Sequence, residues 1–423
     1  MTEPDTDDAA GQADPLDSVL DAAVLLQNNG QSTGTTLLAV DRLNSGLGVH
    51  GVLIPSWASL ILGSSDHDVP ARVSALTPTG INMRRVAGAM RVIDQAEDGP
   101  LDLAEVRAGI SAAAALPPSH AAAFTLACAT GAGALTVIFG AHDVRAVVLS
   151  ATSAAIGAVL RRTLGRYGIG VVVQVFIAAM VAGLLGAAAA HLQLGTAAGM
   201  VAVCPAMVLV PGPHILNGAL DLIALRVSLG LARLGYGAII LTAIAAGLIL
   251  GLRIGGQELP VTGTVAVAPL PIDVLAAAVA AASYSVYFSM PYRMMVWPVL
   301  AGTIAHGAHW WALSVGATGP ATAAFLACLL VGIILVPVSH FLRIPFAAIG
   351  FASVVALVPG MYVFRMLSGI LQLPANTSAE LLAETAAEGA LAVSVIAAMA
   401  IGLLIPMRLR DILVSRRTRQ RSC

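Results

Sequence analysis

Long apolar runs fill the chain beyond residue 118, whereas the first 118 residues mix short apolar stretches with polar ones. Each later run is close to the ~20 residues that a membrane-spanning helix needs. The runs predict ten helices, at 119–140, 144–160, 171–192, 196–225, 232–252, 272–290, 294–315, 320–341, 345–372 and 386–407. The pattern therefore predicts a polytopic α-helical membrane protein behind a small soluble domain.

The soluble part is predicted to be an α/β domain. A helical period begins at Leu16, strands are expected at 51–62 and 71–76, and helices at 81–96 and from Asp102 to about Ala115. Gly30 and Gly34 lie one turn apart, where another backbone could approach closely. The expected domains are a disordered acidic tail at 1–15, the α/β domain at 16–118, five-helix membrane repeats at 119–255 and 256–410, and a basic tail at 411–423.

Charge separates the two parts more sharply than the net value of -1 suggests. Residues 1–118 hold 6 Arg and 15 acidic residues, and the rest of the chain holds 16 Arg and 8 acidic residues. With the soluble domain inside, thirteen Arg fall on the inner side of the predicted helices, against Arg145 and Arg253 outside. We expect no secretory signal, because residues 1–21 are acidic and lack an Arg-flanked apolar core. We therefore expect both termini in the cytosol, and neither the charge nor a basic patch favours binding of nucleic acid.

A short repeat occurs in the predicted fourth helix of each five-helix group. VLVPG occupies 208–212 and ALVPG occupies 356–360, 148 residues apart. An odd number of crossings reverses the second group, so the arrangement predicts inverted repeats, which are typical of secondary transporters.

Each repeat motif should break its helix. Pro211 and Pro359 lack a backbone donor, and Gly212 and Gly360 tolerate unusual dihedrals, so two half-helices are expected at each site. Freed backbone groups are tolerated in a membrane only against protein or a wet cavity. The half-helix after each break would direct its positive end at that cavity, where a carboxylate could bind.

A polar stripe follows the first break. His214, Asn217 and Asp221 lie on one helical face, and the 148-residue offset maps the first two onto Tyr362 and Arg365. We expect Asp221 and Arg365 either to pair or to divide a substrate's ammonium and carboxylate between them, because ionisable groups at membrane depth are usually paired or functional. The alternative is a structural role for both, reached by snorkelling at the helix ends.

Other polar residues have simpler expected roles. His306 and His309, next to Trp310 and Trp311, favour packing over a metal site. Gly247 and Gly251 predict close packing, either within the bundle or at a dimer interface. Three cysteines lie in apolar runs, and neither a disulfide framework, a metal site nor a phosphate-binding loop is suggested, so no cofactor is expected. Solvated caps are expected for the acids at outer helix ends, Asp143, Asp273, Glu384 and Glu388.

Three segments resemble the bacterial threonine/serine exporter family in its fused form. They are INMRRVAGAMRVIDQAEDGPLDLAEVRAGI in the soluble part, and VPGPHILNGALDLI and IPFAAIGFASVVALVPGMYVFRML at the two breaks. The resemblance implies a ten-helix secondary exporter of small hydroxy amino acids in the bacterial inner membrane, driven by proton antiport, with relatives linked to dicarboxylate export. It carries over to Pro211, Gly212, Asn217, Asp221, Pro359, Gly360 and Arg365.

One departure from the family pattern affects the expected chemistry. After the aspartate the family tends toward a Gly-Asp pair, whereas this chain has Leu225 and Arg226. The substrate and the group that carries the coupling proton therefore stay open. His214 is one candidate because imidazole titrates near neutral pH, and Asp221 is another if burial raises its pKa.

Two other functions are weighed against export. The protein could be a membrane-tethered enzyme that uses Ser32, Thr33, His50, Asp66 and His67, but no nucleophile elbow or spaced triad occurs, so we do not expect an enzyme. The soluble domain could also sense a cytosolic ligand and regulate the pore, which is compatible with export.

Overall fold

The computed structural model describes residues 14–64, 70–195, 197–261, 268–375 and 377–421, with side chains up to 410. Two compact units result, Met1–Pro117 and Pro118–Cys423. Most of the predicted acidic tail lies outside the described residues, as do Asp66 and His67.

The first unit combines four helices with a three-stranded antiparallel sheet of order β1-β2-β3. Its elements are α1 (Pro15–Asn28), α2 (Thr33–Leu47), β1 (Gly51–Pro55), β2 (Ser59–Ser64), β3 (Arg72–Ala75), α3 (Met83–Ile93) and α4 (Leu103–Ala114). The strand predicted at 51–62 is a hairpin instead, because the backbone turns where the Ser56 amide bonds the Ser59 carbonyl. β1 then pairs with β2 from Gly51 opposite Ser64.

Polar side chains define where these helices begin. Asp14, Ser32, Asn82 and Asp102 each accept a hydrogen bond from a backbone amide in the first turn that follows. Gly30 separates α1 from α2 with φ of 94°, and Ile81 and Met83 side chains crowd the space where its Cβ would stand. The close approach expected at Gly34 is wrong for the described residues, none of which places an atom of another element within 4 Å of its Cβ position.

The second unit consists of helices joined by short connections. They are α5 (Ala121–Ile138), α6 (Val144–Arg166), α7 (Val171–His191), α8 (Ala197–Met207), α9 (Gly212–Ile223), α10 (Val227–Ile254), α11 (Leu270–Tyr287), α12 (Val296–Ser314), α13 (Pro320–Phe341), α14 (Phe346–Val354), α15 (Gly360–Gln372) and α16 (Ala379–Arg421).

Within the described ranges, seven of these helices are long and apolar enough to cross a membrane, or nine spans if each bent pair counts as one. The bent pairs are α8 with α9, at 66°, and Phe346–Leu357 with α15, at 55°. They are the two helices predicted to break at Pro-Gly. The predicted segment at 294–315 forms α12 but is not among the nine.

Glycines set the distance between α7 and α10. A Cβ built on Gly251 would overlap the backbone carbonyl oxygen of Met180, and one built on Gly247 would overlap that of Phe176. In the same way, a Cβ built on Gly183 of α7 would overlap the backbone carbonyl oxygen of Leu248 on α10. The close-packing face predicted at Gly247 and Gly251 is therefore used inside the bundle.

Candidate functional site

The two breaks pack against each other. The α8 helix ends at Met207 and α9 begins at Gly212, while α15 begins at Gly360, directly after Pro359. A Cβ on Gly212 would lie 3.6 Å from Val358 Cγ2, so a larger side chain on either break would press on the other.

These contacts are reciprocal under the 148-residue offset. Gly212 faces Val355 and Val358, whereas its counterpart Gly360 faces Met207 and Val210, the residues 148 positions before those two valines. Each break therefore presents its glycine to the equivalent apolar residues of the other. Contact between two equivalent surfaces, one from each half of the chain, is expected when the halves are related by a two-fold axis.

A cavity of about 280 Å³ lies beside the second break. Val358, Pro359 and Tyr362 form its wall on the broken helix, and residues of α5, α11, α12, α13 and α16 enclose the rest. Apolar side chains dominate the lining, with Asp273, His306 and His309 as its ionisable members besides Tyr362. Small-ligand sites commonly have this composition.

An acid and an imidazole form a buried pair in this cavity. His306 Nδ1 lies 2.7 Å from Asp273 Oδ2, and the two side chains are 6% and 4% exposed. The solvated cap expected for Asp273 is therefore wrong, and simple packing does not describe His306. Sequence reasoning missed the pair because its members are 33 residues apart on different helices. The sequence did contain one indication, because both residues are ionisable and lie within predicted membrane-spanning segments.

The predicted stripe on α9 is buried. His214, Asn217 and Asp221 are 3%, 1% and 2% exposed. The His214 ring meets Tyr236 of α10 edge-on, with centroids 4.9 Å apart. Asp221 faces two arginines, as its carboxylate oxygens lie 3.2 Å from Arg226 Nη1 and 3.1 Å from Arg233 Nε.

The second charge of the predicted pair has a different partner. Arg365 Nη1 lies 3.5 Å from Glu388 Oε1 on α16. The direct pairing expected between Asp221 and Arg365 is thus wrong, because each of them contacts a different opposite charge. Glu388 is correspondingly not a solvated cap. Asp143 does cap α6, where its carboxylate accepts from the Arg145 amide.

We expect Asp221→Asn to destabilise the protein by about 3 kcal/mol, because the change leaves Arg233 buried without its full counter-charge. Arg233 is only 2% exposed. Thermal unfolding in detergent would measure the effect. Asp143→Asn is the matched control, since its partner Arg145 is exposed and surface pairs contribute little. Equal melting temperatures for the two variants would contradict the expectation.

A much smaller cavity, about 10 Å³, lies beside the first break. Pro205 and Leu209 line it together with Cys128, Ser153 and Arg161. Arg161 Nη1 donates to the Tyr287 hydroxyl at 3.0 Å. Among the described residues, Ser153 Oγ and Arg161 Nε are buried atoms without a hydrogen-bond partner. Buried polar atoms of this kind are costly and require an explanation.

The first unit contains a separate pocket of about 710 Å³. Asp21, Arg85 and Arg107 bring both charge signs to its wall, with amides and hydroxyls between them. Desolvation raises the pKa of Asp21 and nearby Asp17 raises it further, while Arg107 lowers it. Of the residues weighed for an enzyme site, Ser32 instead caps α2.

Metal binding has no candidate in the described part of the chain, where no group of three His, Cys, Asp or Glu side chains could hold an ion. His306 and His309 do approach each other, with ring centroids 5.6 Å apart.

Two family models match the chain. One, described as "Putative threonine/serine exporter", covers residues 17–255, and the other, described as "Threonine/Serine exporter, ThrE", covers residues 273–409. The chain belongs to the threonine/serine exporter family. The matched ranges cover most of both units and include both breaks, which indicates the fused two-part form. A search of curated proteins found no match, and a search of solved structures found none.

Proposed function

We propose that this multi-pass membrane protein exports small amino acids of the threonine and serine class by exposing a central site alternately to the two sides. Family membership supports the substrate class. The observation that carries the mechanism is a pair of cavities at equivalent positions beside two reciprocally packed breaks, one about 280 Å³ and the other about 10 Å³.

The equivalence of the cavities follows from the offset of 148. Ala158, Arg161 and Leu209 of the small cavity correspond to His306, His309 and Leu357 of the large one. We therefore treat α5–α10 and α11–α16 as inverted repeats in different conformations. Exchange of those conformations would close the large cavity and open the small one, which is how repeats produce alternating access.

The same proposal assigns ten crossings. Seven helices and two bent pairs supply nine, and α12 supplies the tenth. Polar residues reduce the hydropathy of α12, and His306, His309 and Trp310 all line the large cavity. Ionisable side chains on a spanning helix are tolerated when they face such a cavity.

Arginine placement supports the orientation that we propose. With both termini in the cytosol of a bacterial cell, the Arg-rich loops lie inside. Most lining residues of the large cavity then lie in the outer halves of their helices, and Ala158 and Arg161 of the small one lie in the inner half of α6, which supports assignment of the structure to an outward-facing state.

The large cavity could hold a zwitterion. Asp273 offers a carboxylate for the ammonium group, and the first turn of α15 at Met361 and Tyr362 offers backbone amides and the positive end of the helix dipole for the carboxylate. A volume of about 280 Å³ lies at the small end of the ~300–1,000 Å³ that is usual for ligand pockets.

On the inner side, Arg161 and Ser153 are the corresponding polar groups. Their unbonded buried atoms, Arg161 Nε and Ser153 Oγ, would donate hydrogen bonds to a substrate carboxylate once the small cavity opens. His214, Asn217 and Tyr362 remain proposed contacts along the path. Asp221 and Arg365 remain site candidates through their ion-paired networks with Arg226, Arg233 and Glu388.

Transport by purified protein in liposomes tests the proposal. Counterflow of labelled threonine or serine should exceed that of empty liposomes and should respond to a pH gradient. A small dicarboxylate is the alternative substrate and is assayed in parallel. Absence of carrier-dependent flux for all three compounds would refute an exporter of this class and would revive the alternative of an enzyme activity in the first unit.

The pocket of the first unit favours a second, compatible role in sensing a cytosolic solute. Asp21 and Arg107 could hold the two ends of a zwitterion. Calorimetry on the whole protein should show two threonine-binding events in the wild type and one in Arg107→Gln. Identical titrations would contradict the second site.

A further inference from the structure

We propose that Asp273 and His306 together form the proton-binding site, and that a substrate's ammonium group displaces the proton from it. This inference rests on the proposed export function and deepens it. The chemistry follows from the buried contact between the carboxylate and the imidazole, and from the cavity that both side chains line.

The geometry gives the pair a hydrogen bond and an aqueous route. Asp273 lies in the first turn of α11 and His306 in the middle of α12, with 2.7 Å between Oδ2 and Nδ1. Neither side chain is more than 6% exposed, so solvent reaches them through the cavity. Imidazole is the side chain that ordinarily exchanges a proton near neutral pH.

Apart from Asp273, no lining residue of the cavity among those described carries a carboxylate, a guanidinium or an ammonium group. Of the described lining residues, the remaining titratable ones are His309 on α12 and Tyr362 on α15. The Trp310 indole N–H is already donated to the Ala268 carbonyl. The linings from α5, α13 and α16 are apolar, namely Ile138, Phe139, Pro320, Ala324 and Val395.

The partner of Asp273 distinguishes it from the other paired acids of the bundle. Asp221 faces two arginines and Glu388 faces one. The positive partners of these two acids stay charged, because arginine does not lose its proton in proteins. Asp273 faces an imidazole whose charge depends on a proton. Without that proton, the cavity carries an uncompensated carboxylate, which is costly away from water.

The imidazolium of His306 and the ammonium group of the substrate compete for the Asp273 carboxylate, and this competition couples proton entry to substrate exit. A proton from the outer bath binds the imidazole and makes an imidazolium–carboxylate pair. When the large cavity is closed to the outside and the small one is open, a substrate that enters from the cytosol places its ammonium beside Asp273 in place of that positive charge. The imidazole then releases its proton toward the cytosol. One positive charge leaves the site as another enters, so proton entry and substrate exit alternate.

His306→Gln tests the coupling, because glutamine keeps a donor toward Asp273 but cannot carry the proton. Two modes are compared in liposomes, gradient-driven flux and substrate exchange at equal pH. We expect His306→Gln to lose stimulation by the gradient out of proportion to any loss of exchange at equal pH, whereas a purely structural role would lower both in the same proportion. His340→Gln, an exposed histidine on α13, should behave as the wild type.

The outcomes separate the two proposals. Gradient-stimulated flux that persists at the wild-type level in His306→Gln overturns the proton site alone, whereas absence of any flux in the wild type overturns the exporter as well. A second measurement needs no variant, because threonine binding to the wild-type protein should release a proton to the bath. Binding without proton release would also overturn the inference.

Discussion

Gly251→Ala is expected to destabilise the membrane unit by about 3 kcal/mol, at the upper end of the usual cost of overpacking. Its added methyl group would overlap the Met180 carbonyl oxygen, and a backbone atom cannot move aside as a flexible side chain can. The α7 and α10 helices would have to separate, with loss of the contacts that Gly183 and Gly247 also permit.

Gly235→Ala is the matched control for this change. Gly235 lies on the same α10 helix, is exposed, and has nothing within 4 Å of its Cβ position. Melting temperatures from fluorescence-detected gel filtration should fall steeply for Gly251→Ala and stay unchanged or rise slightly for Gly235→Ala. Similar melting temperatures for the two variants would show that α7 and α10 are not in close contact.

Ala324→Phe is expected to reduce transport about a hundredfold, a loss typical of a disturbed binding geometry. Ala324 is 1% exposed and lines the cavity of about 280 Å³, so a benzyl group there would occupy the space proposed for the substrate. Because the cavity already provides room, the melting temperature should change little.

Thr322→Phe places the same benzyl group at an exposed position of the same helix and serves as the control. Its flux should match that of the wild type. If Ala324→Phe transports as fast as Thr322→Phe, the cavity is not on the substrate path.

Sequence patterns identified the elements of this fold better than the contacts between them. Helix length and Pro-Gly chemistry are local properties, and both predicted breaks occur as bends of 66° and 55°. The turn inside 51–62 was missed because Ser56–Ala58 contains neither glycine nor an Asn-Gly dipeptide, the strongest hairpin indicators.

For the candidate site too, the sequence indicated which residues share a helix face but not which charged residues pair. Sequence reasoning placed His214, Asn217 and Asp221 on one face, which helical geometry alone determines. It could not choose among the arginines that Asp221 might meet, and Arg226 and Arg233 lie nearest because α10 folds back on α9. Asp273 and His306 are in contact because α11 packs on α12, and no local sequence pattern predicts that packing.

Site-directed labelling tests alternating exposure most directly. Single cysteines at Leu313, a partly exposed residue of the large cavity, and at Ser153 of the small one would be introduced into a protein whose native cysteines are replaced by serine. Membrane-impermeant maleimide would be added from either side. Labelling of Leu313→Cys from outside and protection of Ser153→Cys from inside are expected in the resting state. Substrate should slow the first and accelerate the second. Rates that stay constant or change in the same direction at both positions would contradict two cavities that open in turn.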